Sequence, residues 1–257
     1  MTLVKIDEVT KVYEGKVTHR ALNQLSFEVE KGEFLAVMGP SGSGKTTLLN
    51  LISTIDSLTS GDILIDGTNP HLLDPNDLAL FRRRKLGFVF QDFNLLQMLT
   101  VEENLVLPLT LDYVPTHEMA SRVLDMAKRL NLTSILHKRP NEISGGEAQR
   151  TAIGRALIHK PALILADEPT GNLDSKASRD VLELLSAISV EEKATIIMVT
   201  HDPIAASYCD RVLFIKDGEF FNEIYRDDRR QTFYQKILNV LSLLGGNVND
   251  LSATRLP

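Results

Sequence analysis

A run of glycines that ends in a lysine and a threonine has the composition of a phosphate-binding loop. The run is Gly39-Pro40-Ser41-Gly42-Ser43-Gly44-Lys45-Thr46, and it fits the pattern G-x-x-x-x-G-K-[ST] without a mismatch. Glycine lets the backbone turn tightly and direct N–H groups at phosphate oxygens, and a helix that begins there adds the positive end of its dipole. Lys45 is expected to contact the β- and γ-phosphates, and the Thr46 hydroxyl to ligate Mg²⁺. A glycine-rich turn with a chance lysine is the alternative, but an apolar strand precedes the loop and a helix pattern follows it.

Two adjacent carboxylates follow another apolar strand. Asp167 and Glu168 come directly after residues 162–166, at the end of a strand where open α/β sheets collect their ligands. Beside a phosphate loop, Asp167 is expected to hold Mg²⁺ through water, and Glu168 to activate the attacking water as a general base. His201 follows a third apolar strand, residues 195–200, where it could contact the γ-phosphate or its water. The alternatives are a solvated carboxylate pair and a structural histidine.

Three weaker features fit either nucleotide contacts or ordinary structural roles. Gln91 comes just after a buried strand, where it could face a ligand or cap the strand. Tyr13 precedes a glycine turn, and its ring could stack on adenine or fill the core. The run Ser144-Gly145-Gly146-Glu147 has the form of a capping box at a helix start. Its two glycines each cost helix stability by roughly 1 kcal/mol relative to alanine, a cost that is explained if backbone amides there approach a phosphate closely.

The elements that must position these residues alternate between strands and helices. Residues 4–9 and 25–29 predict an antiparallel sheet beside the nucleotide, and residues 92–160 are helical in pattern. A last helix, residues 229–244, carries an apolar stripe. We predict an α/β fold with a P-loop NTPase core: a mostly parallel sheet with helices on both faces, an N-terminal antiparallel β-subdomain and an inserted α-helical subdomain. It forms one domain over residues 3–246, followed by a tail, residues 247–257.

The composition limits the class of function. The 257 residues carry a net charge of −6, which disfavours a general nucleic-acid binder. The single cysteine, Cys209, allows no internal disulfide, suits a reducing compartment and is expected to be buried. No apolar run approaches the roughly 18 residues of a membrane span, and the N-terminus lacks the apolar core of a signal peptide. We expect a cytoplasmic protein that reaches a membrane only through a partner.

Together these motifs resemble those of the ATP-binding subunits of ABC transporters, from Leu3 to about Gly246. In that family Gln91 corresponds to the Q-loop, residues 144–147 to the signature, Asp167 with Glu168 to the end of the Walker B strand, Asp174 to the D-loop and His201 to the switch histidine. The resemblance implies three sets of site residues. The ATP-binding set is Tyr13, Gly39, Pro40, Ser41, Gly42, Ser43, Gly44, Lys45, Thr46 and Thr47. The catalytic set is Glu168, His201 and Gln91, and the metal set is Thr46, Gln91 and Asp167.

The resemblance also implies a two-copy mechanism with ATP and Mg²⁺ as cofactors. Two subunits face each other head to tail, and each ATP lies between the phosphate loop of one copy and Ser144, Gly145 and Gly146 of the other. Hydrolysis removes the γ-phosphate contacts and lets the pair separate. Motion passes to a transmembrane permease through the surface near residues 91–96. One departure is Glu147, where most members carry glutamine; this variation is common in the family, and we expect activity to be retained.

At finer grain the chain is similar to the macrolide-export and lipoprotein-release branch, and within it to subunits that confer resistance to bacitracin and lantibiotic peptides. The similarity rests on residues 86–96, 140–146, 195–209 and 230–233. It implies an ATPase on the inner face of the cell membrane, held there by a permease, with a two-component sensor kinase as a further partner through that permease. Lipoprotein release, macrolide export and cell division remain alternatives within transport. A DNA-repair or chromosome-type ATPase is an alternative of another class, disfavoured because heptads and cysteine pairs are absent. A small-molecule P-loop kinase, the third class, would not need Ser144, Gly145 and Gly146.

Overall fold

The computed structural model describes residues 1–15 and 17–245. In that part of the chain the strands are β1 (Thr2–Tyr13), β2 (His19–Glu30), β3 (Phe34–Met38), β4 (Ser60–Ile65), β5 (Leu86–Val89), β6 (Leu163–Asp167), β7 (Thr195–Val199), β8 (Arg211–Lys216) and β9 (Glu219–Tyr225). The α-helices are α1 (Lys45–Ile52), α2 (Pro75–Lys85), α3 (Val101–Leu111), α4 (Thr116–Arg129), α5 (Gly145–Leu157), α6 (Ser175–Glu192), α7 (Pro203–Ala206) and α8 (Arg230–Leu243). The predicted end of the domain, Gly246, and the predicted tail, residues 247–257, lie outside the described residues.

A six-stranded sheet forms the centre of the fold, in the order β5-β6-β7-β3-β8-β9. Its first five strands are parallel and β9 is antiparallel, which confirms the predicted mostly parallel sheet. Strand β9 was not predicted because its side chains are half-buried or exposed along its whole length. It follows β8 through a tight turn at Asp217 and Gly218, both with positive φ, as a hairpin of this kind requires.

Alternate residues of the central strands serve two separate hydrophobic cores. In β3, Phe34, Ala36 and Met38 face one core, which contains side chains from α5, α6 and α8. Leu35 and Val37 face the other, which contains α1 and the three-stranded sheet. This period of two is the side-chain geometry of a strand buried on both faces, and it makes β3 a rigid support for the loop that follows it.

The three-stranded sheet, in the order β2-β1-β4, is antiparallel as predicted. Strands β1 and β2 extend well beyond the predicted residues 4–9 and 25–29. The pairing contains register shifts, and Glu8 and Gln24 have positive φ near them. Because bulges interrupt the alternation without ending the ladder, the sequence pattern marks only the regular part of each strand.

Helices α3 and α4 pack around a hydrophobic core of their own, which contains Val101, Leu105 and Val123. Helix α5 joins this helical region to the sheet, because Ile153 and Ala156 belong to the core on the sheet face. The C-terminal helix α8 packs on that same core through Phe233 and Ile237. Cys209 is fully buried. Within the described ranges, no helix has both the length and the apolar character needed to cross a membrane.

Candidate nucleotide-binding site

Four candidate segments lie at one edge of the six-stranded sheet because each follows the carboxyl end of a parallel strand. Gly39 follows β3, Glu168 follows β6, Thr200 follows β7, and Gln91 comes shortly after β5. The pairing registers of β3, β6 and β7 place the ends of these three strands side by side, because Asp167 pairs with Val199 and Val199 pairs with Val37. The edge at the carboxyl ends is where open parallel sheets bind ligands.

The phosphate loop requires glycine at two positions because other backbone segments approach it closely. A Cβ atom on Gly39 would lie 2.1 Å from the carbonyl oxygen of Ile215, and one on Gly44 would lie 2.4 Å from that of Ala21. Gly44 also has φ +98, and α1 begins directly after it at Lys45. The loop is therefore held between β8 and β2, with the first turn of a helix facing the same space.

Lys45 is buried, with 9% of the residue exposed, and its ammonium group is held by the loop itself. Nζ donates to the carbonyl oxygens of Gly39, at 2.9 Å, and Pro40, at 2.8 Å. Burial lowers the pKa of Lys45, and the nearby charges of Glu168 and Asp167 oppose that shift. These contacts place a positive charge beside the loop amides, where it can bind an anion strongly.

Asp167 and Glu168 have different environments although they are adjacent. Burial raises the pKa of Asp167, the charge of Glu168 raises it further, and Lys45 opposes both effects. The Glu168 carboxylate accepts hydrogen bonds from the His201 N–H, at 3.0 Å to Oε1, and from the Thr200 hydroxyl, at 3.1 Å to Oε2. Glu168 has φ +45, an uncommon conformation for a residue with a side chain and one that is often found at functional sites.

The His201 ring contacts Glu168 and faces solvent. Its Nδ1 lies 2.7 Å from Oε1 of Glu168, and 76% of the side chain is exposed. Thr200, which also accepts a hydrogen bond from the Asp202 N–H, orients Glu168 from the end of β7. Thr200 was not among the predicted site residues, although its place directly before His201 at the end of an apolar strand was a signal for it.

A cavity of about 870 Å³ brings the phosphate loop, Glu168 and His201 together. Thr46 and Lys45 also line it. Tyr234 and Leu241 of α8 also line it, although an apolar stripe was all that the sequence predicted for that helix. Among the described residues that line this cavity, none comes from 144–147, and neither Gln91 nor Asp174 is included.

Tyr13 and Thr47 line a smaller adjoining cavity of about 190 Å³, together with Gly42, Gly44 and Lys45 of the loop. The Tyr13 hydroxyl donates to Asp56 at 2.8 Å, and Lys11 Nζ lies 4.8 Å from the centre of the ring. Burial, followed by the bond to Asp56, raises the pKa of the Tyr13 phenol. The ring is 39% exposed beside the loop, so it does not simply fill the core.

The start of α5 is a complete capping box. The Ser144 Oγ accepts from the Glu147 N–H at 3.3 Å, and Glu147 Oε2 accepts from the Ser144 N–H at 2.7 Å. That backbone hydrogen bond is the main reason that the pKa of Glu147 lies below its ordinary value. A Cβ atom on Gly146 would lie 3.1 Å from the Ala177 Cβ, so close packing against α6 contributes to the choice of glycine.

Gln91 and Asp174 have clear local roles. Gln91 Nε2 donates to Asn172 Oδ1 at 3.3 Å. Asp174 caps α6, because its Oδ1 accepts from the N–H groups of Lys176 and Ala177, each at 2.9 Å. These backbone bonds hold the pKa of Asp174 below its ordinary value.

The donor set fits a Mg²⁺-bound polyphosphate. Lys45 supplies a cation, Thr46 a hydroxyl beside the loop amides, and Asp167 a carboxylate close enough for its charge to act on Lys45. Mg²⁺ prefers oxygen ligands and binds through one or two of them together with substrate phosphates. Glu168 lines the same cavity as His201 and can accept a proton from water.

Comparison with known proteins gives consistent results. The ABC transporter family model matches residues 22–171. The ABC transporter ATP-binding protein YxdL of Bacillus subtilis (strain 168) is 60% identical over 254 residues, 99% of each chain. The bacitracin export ATP-binding protein BceA of Halalkalibacterium halodurans is 46% identical over 252 residues, 97% of this chain and 100% of that protein. The dimeric post-hydrolysis structure of the ATP-binding cassette MJ0796 with ADP and Pi has a TM-score of 0.80 and 41% identity, over 88% of this chain and 100% of the other.

Proposed function

The chain belongs to the ABC transporter family as an ATP-binding subunit with ATPase activity, and from this premise we propose that it energises a membrane permease in resistance to, or sensing of, cell-wall-targeting peptide antibiotics. The cavity shared by Lys45, Glu168 and His201 carries the catalytic part of the proposal. The similarity to a bacitracin export ATPase, over nearly the whole of both chains, supports the choice of peptides.

In the proposed site, the loop residues 39–44 and Lys45 bind the phosphates of ATP. Thr46 and Asp167 hold Mg²⁺, which when bound neutralises charge on the phosphate oxygens. Tyr13 stacks on adenine, since its ring lies beside the loop with its hydroxyl fixed by Asp56. Thr47 lines the same small cavity and contributes to nucleotide binding there.

Glu168 acts as the general base for the attacking water. The Thr200 hydroxyl and the His201 N–H hold its carboxylate in place. Both hydrogen bonds are already formed in the structure, so no backbone rearrangement is needed to make them. The exposed His201 ring contacts the γ-phosphate or the water, because its Nδ1 is already oriented by Glu168. Gln91 is proposed to contact the metal and the attacking water, with its side-chain amide oriented by Asn172 Oδ1 at 3.3 Å.

Two copies of the chain form the complete site. The N-terminus of α5 carries free amide donors and a dipole, yet residues 144–147 do not line the cavity formed by the described residues of the same chain. A second copy placed head to tail supplies them, with Asp174 near the contact. The related cassette MJ0796 is a dimer in its post-hydrolysis structure with ADP and Pi, which supports a site made by two copies.

The permease contact is proposed near residues 91–96, where apolar side chains remain exposed. Leu96 is 48% exposed, and Met98, just beyond this segment, is 80% exposed. This segment begins at Gln91. A change in the position of Gln91 at the nucleotide is therefore passed to the exposed surface through only a few residues. A subunit bound there lies on the inner face of the cell membrane, and a two-component sensor kinase could be contacted through the permease.

The two-copy site is tested by mixing two inactive variants. Glu168→Gln lacks the base, and Ser144→Arg blocks the signature; neither alone is expected to hydrolyse ATP appreciably. Mixed before ATP is added, half of the dimers are expected to be mixed, and each of these has one intact site, so turnover should recover to about a quarter of the wild-type value. No recovery, with mixed dimers demonstrated by differential tags, would contradict the two-copy site.

The transport role is tested in the organism that carries the chain. A tagged Glu168→Gln subunit is purified from native membranes, and a multi-span membrane protein is expected with it. Cells with only the Lys45→Ala chain are expected to be more susceptible to bacitracin than cells with the wild type. Recovery of DNA in place of a membrane protein would refute the transport role, whereas unchanged susceptibility to bacitracin and lantibiotics would refute only the peptide role.

A further inference from the structure

Gln149 is a buried polar side chain on α5 whose amide has no role in the site as described above. The residue is 0% exposed. Its Nε2 donates to the carbonyl oxygens of Pro169, at 2.6 Å, and Phe90, at 3.3 Å. Its Oε1 is buried without a hydrogen-bond partner among the described residues. Burying an oxygen without a hydrogen-bond partner costs free energy. The two hydrogen bonds donated by Nε2 hold the amide in this one orientation despite that cost.

The two carbonyl groups that Gln149 binds lie next to the two groups that we place in hydrolysis. Phe90 directly precedes Gln91, and Pro169 directly follows Glu168. Glu168 has φ +45, and the turn after it is closed by a hydrogen bond from the Gly171 N–H to the Glu168 carbonyl at 3.0 Å. An uncommon backbone conformation persists only where surrounding contacts hold it, and Gln149 supplies one of those contacts from the buried side.

Asn172 makes the second connection between the same two segments, from the exposed side. Its Nδ2 donates to Asp92 Oδ1 at 2.6 Å and to the Gln91 carbonyl at 3.3 Å, while its Oδ1 accepts from Gln91 Nε2. The turn after Glu168 and the segment at Gln91 are therefore joined twice, once through the interior by α5 and once at the surface.

We propose that Gln149 and Asn172 are positioning residues for ATP hydrolysis. Gln149 holds the backbone beside Gln91 and Glu168 at fixed positions relative to the helix that begins at Ser144, and Asn172 holds Gln91 in place. This inference rests on the roles proposed above for Gln91 and Glu168. Because a displacement of about 1 Å in a reacting group can cost on the order of a hundredfold in rate, a small shift of either segment is expected to slow hydrolysis with little effect on nucleotide binding.

The variant Gln149→Met tests the buried connection, because it keeps the side-chain volume and removes both donor bonds. Thr151→Val is the matched control. Thr151 lies on the same helix and is 0% exposed, and the one hydrogen bond of its hydroxyl with the described residues goes to the Glu147 carbonyl within α5, at 2.8 Å. We expect Gln149→Met to lower kcat about tenfold, with the KM for ATP within about twofold of wild type. Thr151→Val should leave both constants nearly unchanged. Equal kcat for the two variants, at similar melting temperatures, would overturn the role of Gln149.

A double-mutant cycle tests the surface connection and does not depend on the stability of the core, because Asn172 is exposed. Asn172→Ala is expected to lower kcat about threefold or more in the wild-type background, and to have no further effect in a Gln91→Ala background. The positioning role of Asn172 would be refuted by either of two results: effects of Asn172→Ala and Gln91→Ala on kcat that multiply in the double variant, or a wild-type kcat in Asn172→Ala. Failure of the wild type itself to hydrolyse ATP would count against the proposed function, whereas an active wild type with unaffected variants counts only against the positioning role.

Discussion

Replacing Glu168 with glutamine removes the proposed base while preserving most of its contacts. In the wild type, the His201 N–H lies 3.0 Å from Glu168 Oε1 and the Thr200 hydroxyl lies 3.1 Å from Oε2. In the variant, the glutamine carbonyl can still accept from the His201 N–H, and the new amide can donate to the Thr200 hydroxyl. The side chain keeps its volume at a position where only 16% of the glutamate is exposed. We therefore expect Glu168→Gln to fold normally and to bind ATP.

The size of the effect follows from the step that is lost. A positioned general base contributes about 10²- to 10⁴-fold to a rate. At about 1.4 kcal/mol for each factor of ten, the activation barrier should rise by about 3–5.5 kcal/mol. Lys45, Thr46 and the loop amides are untouched, so the dissociation constant for ATP should change by less than about threefold.

Phosphate release under saturating Mg-ATP measures kcat, and titration calorimetry measures binding in the same preparation. Size-exclusion chromatography with ATP should show the variant as a dimer, because the γ-phosphate contacts persist. Glu183→Gln, the same change on an exposed position of α6, is the matched control and should retain wild-type turnover. A kcat for Glu168→Gln within threefold of wild type would refute the base assignment, and a monomer at saturating Mg-ATP would refute the two-copy site.

Three further substitutions separate binding, turnover and stability. Lys45→Ala should weaken ATP binding by about 1.5–3 kcal/mol, the value of a hydrogen bond to a charged group, and unchanged calorimetric affinity would contradict the assigned phosphate contact. His201→Ala should lower kcat about tenfold with little change in ATP affinity; normal turnover would remove the ring from the mechanism. Arg211→Leu should lower the free energy of unfolding by about 3 kcal/mol, because it leaves the Glu33 carboxylate, 13% exposed and now 2.6 Å from the guanidinium, without its partner. Urea denaturation measures this loss, and a change below 1 kcal/mol would show that the buried pair adds little.

The phosphate loop and the strand that supports it could be predicted from the sequence because each signal is local. A glycine at position 44 must adopt positive φ, and the alternation of β3 between two cores appears as a continuous apolar run. The capping box at Ser144 is equally local, since its hydrogen bonds join residues three apart.

Features that depend on contacts between distant segments could not be predicted. Strand β9 has no regular alternation and forms because it pairs with β8. Helix α8 lines the cavity of about 870 Å³ because of the way it packs on the domain, and its apolar stripe does not specify that packing. The contacts of Gln149 with Pro169 and Phe90 span 20 and 59 positions, and a glutamine inside a helix carries no sign of them.

The location of α5 affects how variants at the signature should be interpreted. Its N-terminus lies outside the cavity formed by the described residues of its own chain, while its buried face holds the backbone beside Gln91 and Glu168. In the proposed dimer, a substitution at Ser144 therefore acts first on the nucleotide bound by the partner copy. A substitution at Gln149 acts first on the chain that carries it. The N-terminus and the buried face of one helix thus serve different nucleotides, and the helix that carries both provides a direct physical connection by which the state of one site can alter the geometry of the other.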